Sequence, residues 1–371
     1  MALFERISLL VVEDEEFMLG LLKQVLFAAG FRNVRTARDG QEAIAFLASY
    51  RNMRGAGGAM MQPVDVVLTD TDMPNINGID LLRWIRRDAG SPNRFLPVVM
   101  VAGEADAEMI LACRDVGVSE IVAKPYSLAS LLQKIMAVIE RPRPYILARS
   151  YFGPDRRRQK AAVEGKDRRV GADKVKRFTT AQGNLSLLEG YVFQFDIPNA
   201  LKPKLDGVVS GVPVDYSAEL AKAQDALAAA DTQIKDWIVE AVTRLENQFK
   251  KLAKGEDVAP TRGEMNALAR ELRGHGGTFG YPLISEFSRS LDLFLERLGD
   301  LHADALELIR AHVDVIKVVV KQNARHANDP LAREIKLMLE KVIAKYSSKH
   351  GAMNLSARAG ARRAPSAPAP I

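Results

Sequence analysis

The stretch that decides the fold covers residues 68–82 and reads LTDTDMPNINGIDLL. It completes an apolar, β-branched run at residues 64–69, which predicts a buried strand. Asp70 follows this strand, a turn rich in Pro, Asn and Gly comes next, and helical spacing resumes at residues 79–87. A carboxylate that ends a central strand and precedes a turn is well placed to act as a nucleophile.

The same alternation of strand and helix continues on both sides of this stretch. Strands are predicted at residues 7–12, 34–37, 64–69, 97–102 and 120–123, and helices at 16–29, 41–49, 79–87, 106–116 and 128–139. Strict alternation favours an α/β fold with a doubly wound, five-stranded parallel sheet covered on both faces. Residues 1–140 are therefore expected to form the first of two or three domains in this 371-residue chain.

Charged side chains follow three of the predicted strands. Glu13 and Asp14 follow the first strand, Asp70 follows the third, and Lys124 follows the fifth. Because the carboxyl ends of parallel strands meet at one edge of the sheet, we expect these side chains to converge. Three carboxylates suit Mg²⁺, and a lysine beside that ion would help to neutralise a phosphoryl group during transfer.

This constellation resembles the receiver domain of two-component response regulators, a flavodoxin-like fold, over residues 5–140. The matching residues are Glu13-Asp14, Asp70, Met73, Pro74, Gly78 and Lys124-Pro125. The resemblance implies that Asp70 is phosphorylated and that Lys124 contacts the phosphoryl group. It also implies a cis bond before Pro125, and a Mg²⁺ ion held by Glu13, Asp14, Asp70 and the backbone carbonyl of Asp72.

Two positions depart from the receiver pattern at the point where phosphorylation is usually read out. The family has Thr or Ser after the fourth strand, where this chain has Ala102. It often has Tyr or Phe three residues before the lysine, where this chain has Ile121. The usual switch, in which a hydroxyl and an aromatic ring move together, is therefore expected to be degenerate.

Residues 141–215 are predicted to be a basic, largely extended linker. Residues 141–180 hold 13 Lys/Arg against 4 Asp/Glu, a balance of +9 within a chain of net charge +6. The arginines at 156–158 and 168–169 lack the interleaved aromatics of nucleic-acid sites, so nucleic-acid binding is disfavoured. A motif of phosphodiester-binding β-barrels begins at Asn184 and Ser186, but its glycine, Gly190, comes one residue late. Residues 51–62 are expected to form a glycine-rich surface loop.

Residues 216–347 are predicted to form an all-α helical bundle, followed by a disordered tail at 348–371. Helices are expected at residues 217–255, 263–279, 283–298, 303–323 and 330–346. Ser217 is expected to cap the first of these helices, and Thr261 with Glu264 forms a capping-box pattern for the second.

Part of this bundle resembles a histidine-phosphotransfer domain, through Ala269, Leu272, Gly274 and Gly280. Arg270 occupies the position of the family's phosphorylated histidine, and Arg273 stands in for its lysine. His275 lies five residues later, about 140° around a helix of ~100° per residue. A degenerate domain is therefore favoured over relay through His275, and the arginines beside Gly274 are expected to offer a cationic face to a receiver.

These features together predict a cytoplasmic two-component regulator that is not an enzyme beyond self-catalysed phosphorylation and dephosphorylation. The single cysteine, Cys113, fits a reducing compartment, and no apolar run reaches the ~18–20 residues of a membrane span. The expected partner is a histidine kinase or phosphotransfer protein, and the helical bundle leaves a homodimer open. Two alternatives stand: a phosphorelay between Asp70 and His275, and a scaffold that works without phosphorylation.

Overall fold

The structure is a computed structural model that describes residues 2–53, 63–103, 107–156, 175–178, 192–207, 212–325 and 330–350. The chain divides into two compact units, Met1–Asp231 and Thr232–Ile371. Of the loop expected at 51–62, residues 51–53 are helical and 54–62 lie outside the described residues. Other predictions outside the described residues concern the arginines at 157–158 and 168–169, the incomplete motif at 184–190 and the chain beyond 350.

The first unit is built on a five-stranded parallel sheet in the order β2-β1-β3-β4-β5. Its strands are β1 (Ser8–Val12), β2 (Asn33–Ala37), β3 (Val66–Asp70), β4 (Val98–Ala102) and β5 (Glu120–Ala123). The residues of β1, β3 and β4 are buried throughout, because helices cover both faces of the sheet. The predicted fold class is confirmed.

Five helices alternate with these strands: α1 (Glu16–Ala28), α2 (Gly40–Met53), α3 (Gly78–Arg87), α4 (Ala107–Val116) and α5 (Leu128–Glu140). Side chains cap the amino-terminal N–H groups of several of these helices, as Asn77 does for α3 and Ser127 for α5. Their bounds lie within a few residues of the predicted ones, because the capping residues and apolar spacing are local signals.

A second sheet occupies the region predicted to be an extended linker. Its strands are β6 (Tyr145–Ala148), β7 (Tyr151–Pro154), β8 (Val175–Phe178) and β9 (Val192–Phe195), in the order β7-β6-β9-β8. Tyr145, Phe152, Phe193 and Phe195 are buried and pack with Phe95, which precedes β4. The linker prediction was wrong here. The aromatic residues are widely spaced and separated by basic ones, so they form a core only after the strands pair.

Arg86 of α3 joins this second sheet to the first. Its side chain is fully buried. The guanidinium donates to the carbonyl oxygens of Gly117 at 3.0 Å, Leu96 at 2.7 Å and Arg94 at 3.0 Å. It also lies 5.5 Å from the ring centre of Tyr145 in β6. Backbone carbonyls and an aromatic face therefore take the place of a carboxylate partner.

The helix predicted at residues 217–255 is two helices, α6 (Ser217–Ala229) and α7 (Asp231–Ala253). The first, α6, packs against α1 and α5 and belongs to the first unit, so the expected domain start at residue 216 is wrong. Ser217 is not the cap that was expected. Instead, its own N–H donates to Oδ1 of Asp215 at 2.9 Å.

The second unit contains α7, α8 (Val258–Gly276), α9 (Pro282–Arg297), α10 (Ala303–Lys321) and α11 (Pro330–His350). The expected capping box was wrong, because α8 begins before Thr261, whose N–H already donates to the carbonyl of Asp257 at 2.9 Å. Helix α11 runs past residue 348, where a disordered tail was expected to start. Among the helices in the described parts of the chain, none has the length and apolar character needed to cross a membrane.

Candidate functional site

The three predicted carboxylates meet at the carboxyl edge of the first sheet. Strand β1 ends at Val12 and β3 at Asp70, and the pairing of Val12 with Thr69 sets Glu13 and Asp14 beside Asp70. Carboxylate oxygens of Glu13, Asp14 and Asp70 lie within 4.8 Å of one another. Glu13 and Asp70 are buried, whereas Asp14 is exposed to solvent.

Lys124 extends from the end of β5 into this acidic pocket. Its Nζ lies 2.5 Å from Oδ2 of Asp70 and 3.7 Å from Oε2 of Glu13. Burial alone would lower the pKa of Lys124, but the charges of Asp70 and Glu13 outweigh it and raise the pKa. The lysine is therefore held as a cation at the position that the sequence predicted.

The pocket contains more negative charge than one lysine balances. Burial raises the pKa of Glu13 to about 8, against the opposing effect of Lys124, and Asp70 adds to the rise. Burial and the charge of Asp70 also raise the pKa of Asp14 to about 6. A cluster of three carboxylates in which Glu13 and Asp14 have raised pKa values fits a hard divalent cation, because its charge would stabilise their ionised forms.

A tight turn between β3 and α3 holds Asp70 in place. Oδ1 of Asp70 accepts the backbone N–H of Asp72 at 3.3 Å and lies 3.4 Å from the hydroxyl of Thr71. The N–H of Gly78 donates to the carbonyl of Thr71 at 3.1 Å. A Cβ at Gly78 would lie 1.9 Å from the carbonyl oxygen of Asp70, so any side chain there would push the turn out of position.

Two contacts that the sequence did not reveal attach this turn to α2. The side-chain amide of Asn75 donates to Oδ2 of Asp39 at 2.7 Å, and the N–H of Gly40 donates to the carbonyl of Ile76 at 3.0 Å. Asn75 has φ +59°, a left-handed conformation that Asn tolerates better than most residues. The sequence feature that could have predicted this contact is the position of Asn75 in a turn rich in Pro, Asn and Gly.

The two degenerate switch positions, Ala102 and Ile121, both lie in largely apolar surroundings. Ala102 ends β4, is fully buried, and accepts the N–H of Lys124 at 2.8 Å. Ile121 is partly buried and packs against the core of the first unit. Sequence reasoning missed Tyr126, which follows the cis bond between Lys124 and Pro125 and is buried beside the pocket. Burial raises the pKa of Tyr126, so its hydroxyl stays protonated.

The two arginines of α8 that were expected to form a cationic face are paired within the second unit. Arg270 lies 3.2 Å from Oδ1 of the buried Asp292 and 2.5 Å from Oε1 of Glu296, and Arg273 contacts Oδ2 of Asp292. The Arg273 side chain is only 14% exposed. The expected cationic face is therefore largely neutralised, because α9 supplies two carboxylates that the local pattern of α8 does not reveal.

Gly274 and His275 are buried in α8. The imidazole of His275 lies 6.3 Å from the ring of Phe279 and 6.0 Å from that of Trp237, between centroids. It is only 4% exposed. The structure thus places His275 among aromatic side chains, and the glycine beside it does not open a surface for a partner.

Comparisons with known proteins find relatives for the first unit of the chain. Residues 9–136 match the family model for the response regulator receiver domain. Over 137 residues the chain is 34% identical to chemotaxis protein CheY-3 of Vibrio cholerae, covering 37% of this chain and 95% of that protein. Over 134 residues it is 34% identical to chemotaxis protein CheY of Pseudomonas aeruginosa, covering 36% and 97%.

Among solved structures, Vibrio cholerae CheY4 matches 36% of this chain and 98% of its own chain, at 26% identity and a TM-score of 0.29. The two curated relatives named above are covered over 95% and 97% of their own lengths. Through residues 9–136, the chain belongs to the response regulator receiver domain family.

Proposed function

We propose that Asp70 accepts a phosphoryl group, in the cytoplasm, from the phosphohistidine of a histidine kinase or phosphotransfer protein. The observation that supports this most strongly is the position of the Lys124 amine, 2.5 Å from Asp70 within a cluster of three carboxylates. The receiver family supplies the class of reaction, and the pocket supplies the residues that would perform it.

In this proposal a carboxylate oxygen of Asp70 attacks the phosphorus atom of the donor. The phosphorus–oxygen bond forms as the phosphorus–nitrogen bond breaks, and the imidazole departs with the bonding electron pair. Lys124 now donates to Oδ2 of Asp70. After transfer, Lys124 would donate to a phosphoryl oxygen instead, so that the same cation compensates the charge before and after the step.

A Mg²⁺ ion would be held by the carboxylates of Glu13, Asp14 and Asp70 and by the backbone carbonyl of Asp72. When bound, it would neutralise the charge that develops on the phosphoryl oxygens. The raised pKa values of Glu13 and Asp14 support this assignment, because burial and the charge of Asp70 disfavour ionisation there and a bound cation would favour it. Self-catalysed phosphorylation and dephosphorylation would be the only chemistry of the chain.

The output of this regulator would be a change in protein–protein contacts that does not use the hydroxyl-and-aromatic switch. Ala102 has no hydroxyl that could follow the phosphoryl group, and Ile121 packs into the core. The second unit is a candidate recipient of the signal as a phosphotransfer-like bundle. The burial of His275 weighs against its phosphorylation, so we do not propose a relay.

The test is labelling of the full chain with a radioactive small-molecule phosphodonor, with and without Mg²⁺. Wild type is expected to incorporate a Mg²⁺-dependent label that base and hydroxylamine remove, as for an acyl phosphate. Asp70→Asn should abolish the label, and the matched control Asp72→Asn should retain it, because the backbone carbonyl of residue 72 is unchanged. Undiminished labelling of Asp70→Asn would refute the proposal.

The other two functions predict different results in the same experiment. An acid-labile label that disappears in His275→Gln would identify a relay. A chain that takes up no label under any condition would be a scaffold that works without phosphorylation.

A further inference from the structure

The second unit contains a cluster of metal-ligating side chains far from the acidic pocket in sequence. His302 immediately precedes α10, Asp304 lies in its first turn, and His350 ends α11. One ligand atom from each of these residues lies within 4.8 Å of the other two. We propose that His302, Asp304 and His350 bind a divalent transition-metal ion of the Zn²⁺ class.

The contacts between α10 and α11 bring these side chains together. Nε2 of His350 lies 3.0 Å from Oδ2 of Asp304, and the imidazole rings of His302 and His350 are 4.5 Å apart between centroids, at 28°. One turn further along, Lys345 pairs with Glu307 at 2.7 Å. Two of the ligands thus lie on paired helices, and the third, His302, caps the first turn of α10.

The separations suit a metal ion after small side-chain rotations. Zn²⁺ binds imidazole nitrogen and carboxylate oxygen at about 2.0–2.2 Å, which places tetrahedral ligand atoms roughly 3.3 Å apart. The ligand atoms lie within 4.8 Å of one another, which is within reach of such rotations because all three side chains are at least partly exposed. Three protein ligands would leave a fourth position for water.

Neighbouring groups orient the ligands. Nδ1 of His302 accepts the N–H of Ala305 at 3.3 Å, so Nε2 is the nitrogen that would bind the metal. Lys349 donates to Oδ1 of Asp304 at 2.9 Å, which leaves Oδ2 facing His350. The hydroxyl of Tyr346 lies 3.3 Å from Nε2 of His302. Binding at Nε2 of His350 would replace its hydrogen bond to Asp304, and the neutral imidazole would then carry its proton on Nδ1.

The donor set distinguishes this site from the acidic pocket of the first unit. Two imidazoles and one carboxylate favour Zn²⁺, Co²⁺, Ni²⁺ or Cu²⁺, whereas carboxylates alone favour Mg²⁺. An ion bound at His302, Asp304 and His350 would tie the start of α10 to the end of α11. It would therefore stabilise the second unit against unfolding by mass action.

The test is titration of the full chain with Co²⁺, whose visible absorption reports ligation by imidazole, followed by displacement with Zn²⁺. The parent protein is an Asp70→Asn variant, so that the acidic pocket lacks its central carboxylate and the result does not depend on phosphorylation. One equivalent is expected to bind saturably, and affinity should fall at least tenfold in His302→Gln and in His350→Gln.

Lys345→Gln is the matched control, because it alters the same helix interface without removing a ligand, and it should bind like the parent. Far-UV circular dichroism of each variant verifies that the helices are retained. The proposal is overturned if the parent shows no saturable Co²⁺ binding. It is equally overturned if either histidine variant keeps the parent's affinity.

Discussion

The amine of Lys124 lies 2.5 Å from Oδ2 of Asp70, and both side chains are at least nine-tenths buried. This pair is the electrostatic centre of the first unit, since Glu13 and Asp14 add negative charge around it. A buried cation that balances more than one carboxylate affects both folding and chemistry, and variants of the chain should separate the two effects.

Replacing Lys124 by Met should destabilise the first unit by about 3 kcal/mol, because it leaves buried carboxylates without their cation. Adding Glu13→Gln to this variant should recover much of the lost stability by removing one of those charges, but it should not recover phosphorylation. Urea unfolding in Mg²⁺-free buffer measures the first effect, and phosphodonor labelling measures the second. Equal stability of the single and double variants would contradict this account.

Gly78→Ala should disturb the turn that holds Asp70, because its Cβ would lie 1.9 Å from a backbone oxygen that cannot move aside cheaply. We expect a loss of about 2 kcal/mol or more in the stability of the first unit, together with weaker Mg²⁺ binding. Thermal unfolding and Mg²⁺ titration monitored by fluorescence test these two outcomes.

Gly263→Ala is the control for that variant. Gly263 lies in α8 with nothing within 4 Å of an added Cβ, so alanine should stabilise the helix by about 0.5–1 kcal/mol. If both substitutions changed the free energy of unfolding in the same direction, the close approach of Gly78 to the carbonyl of Asp70 would not explain the effect of Gly78→Ala.

Arg86→Met should loosen the attachment of the second sheet. The substitution leaves the carbonyl oxygens of Gly117, Leu96 and Arg94 without their donor, at an expected total cost of about 3 kcal/mol. Arg83→Met is the control on the same helix, because Arg83 pairs with the exposed Asp80. Limited proteolysis should cleave the first variant faster in the β6–β9 region, and equal rates would contradict the proposed role.

The stability of the second unit should depend on pH through His312. Burial lowers the pKa of His312 to about 4 from its ordinary 6.5, against a hydrogen bond with the carbonyl of Leu308 that raises it. Between these values the unfolded chain binds a proton that the folded chain does not. Stability is therefore full above pH 6.5 and falls by about 3 kcal/mol as the pH drops to 4.

His312→Gln should remove this part of the pH dependence, although it also lowers the overall stability by disturbing the contact with Ser290 at 2.9 Å. The relevant measurement is the difference in urea-unfolding free energy between pH 7 and pH 4.5, monitored by circular dichroism in each protein. The same difference in wild type and variant would show that groups other than His312 dominate the pH dependence of stability.

Much of the first unit could be predicted because its signals are local. The apolar run before Asp70, the turn through Gly78 and the helix that follows lie within a short segment, and each obeys its own periodicity. The meeting of Glu13, Asp14, Asp70 and Lys124 then follows from a general property of parallel sheets, whose carboxyl ends share one edge.

The sequence by itself determined the alternating fold and the pocket that the fold creates. Only the tertiary structure decided that aromatic residues between 145 and 195 pack on Phe95 as the core of a second sheet, and that Asp292 and Glu296 pair with Arg270 and Arg273. These features depend on partners from distant segments, and no local pattern specifies which distant side chain will be adjacent. For the same reason, His302 and His350 became neighbours only once α10 had packed against α11.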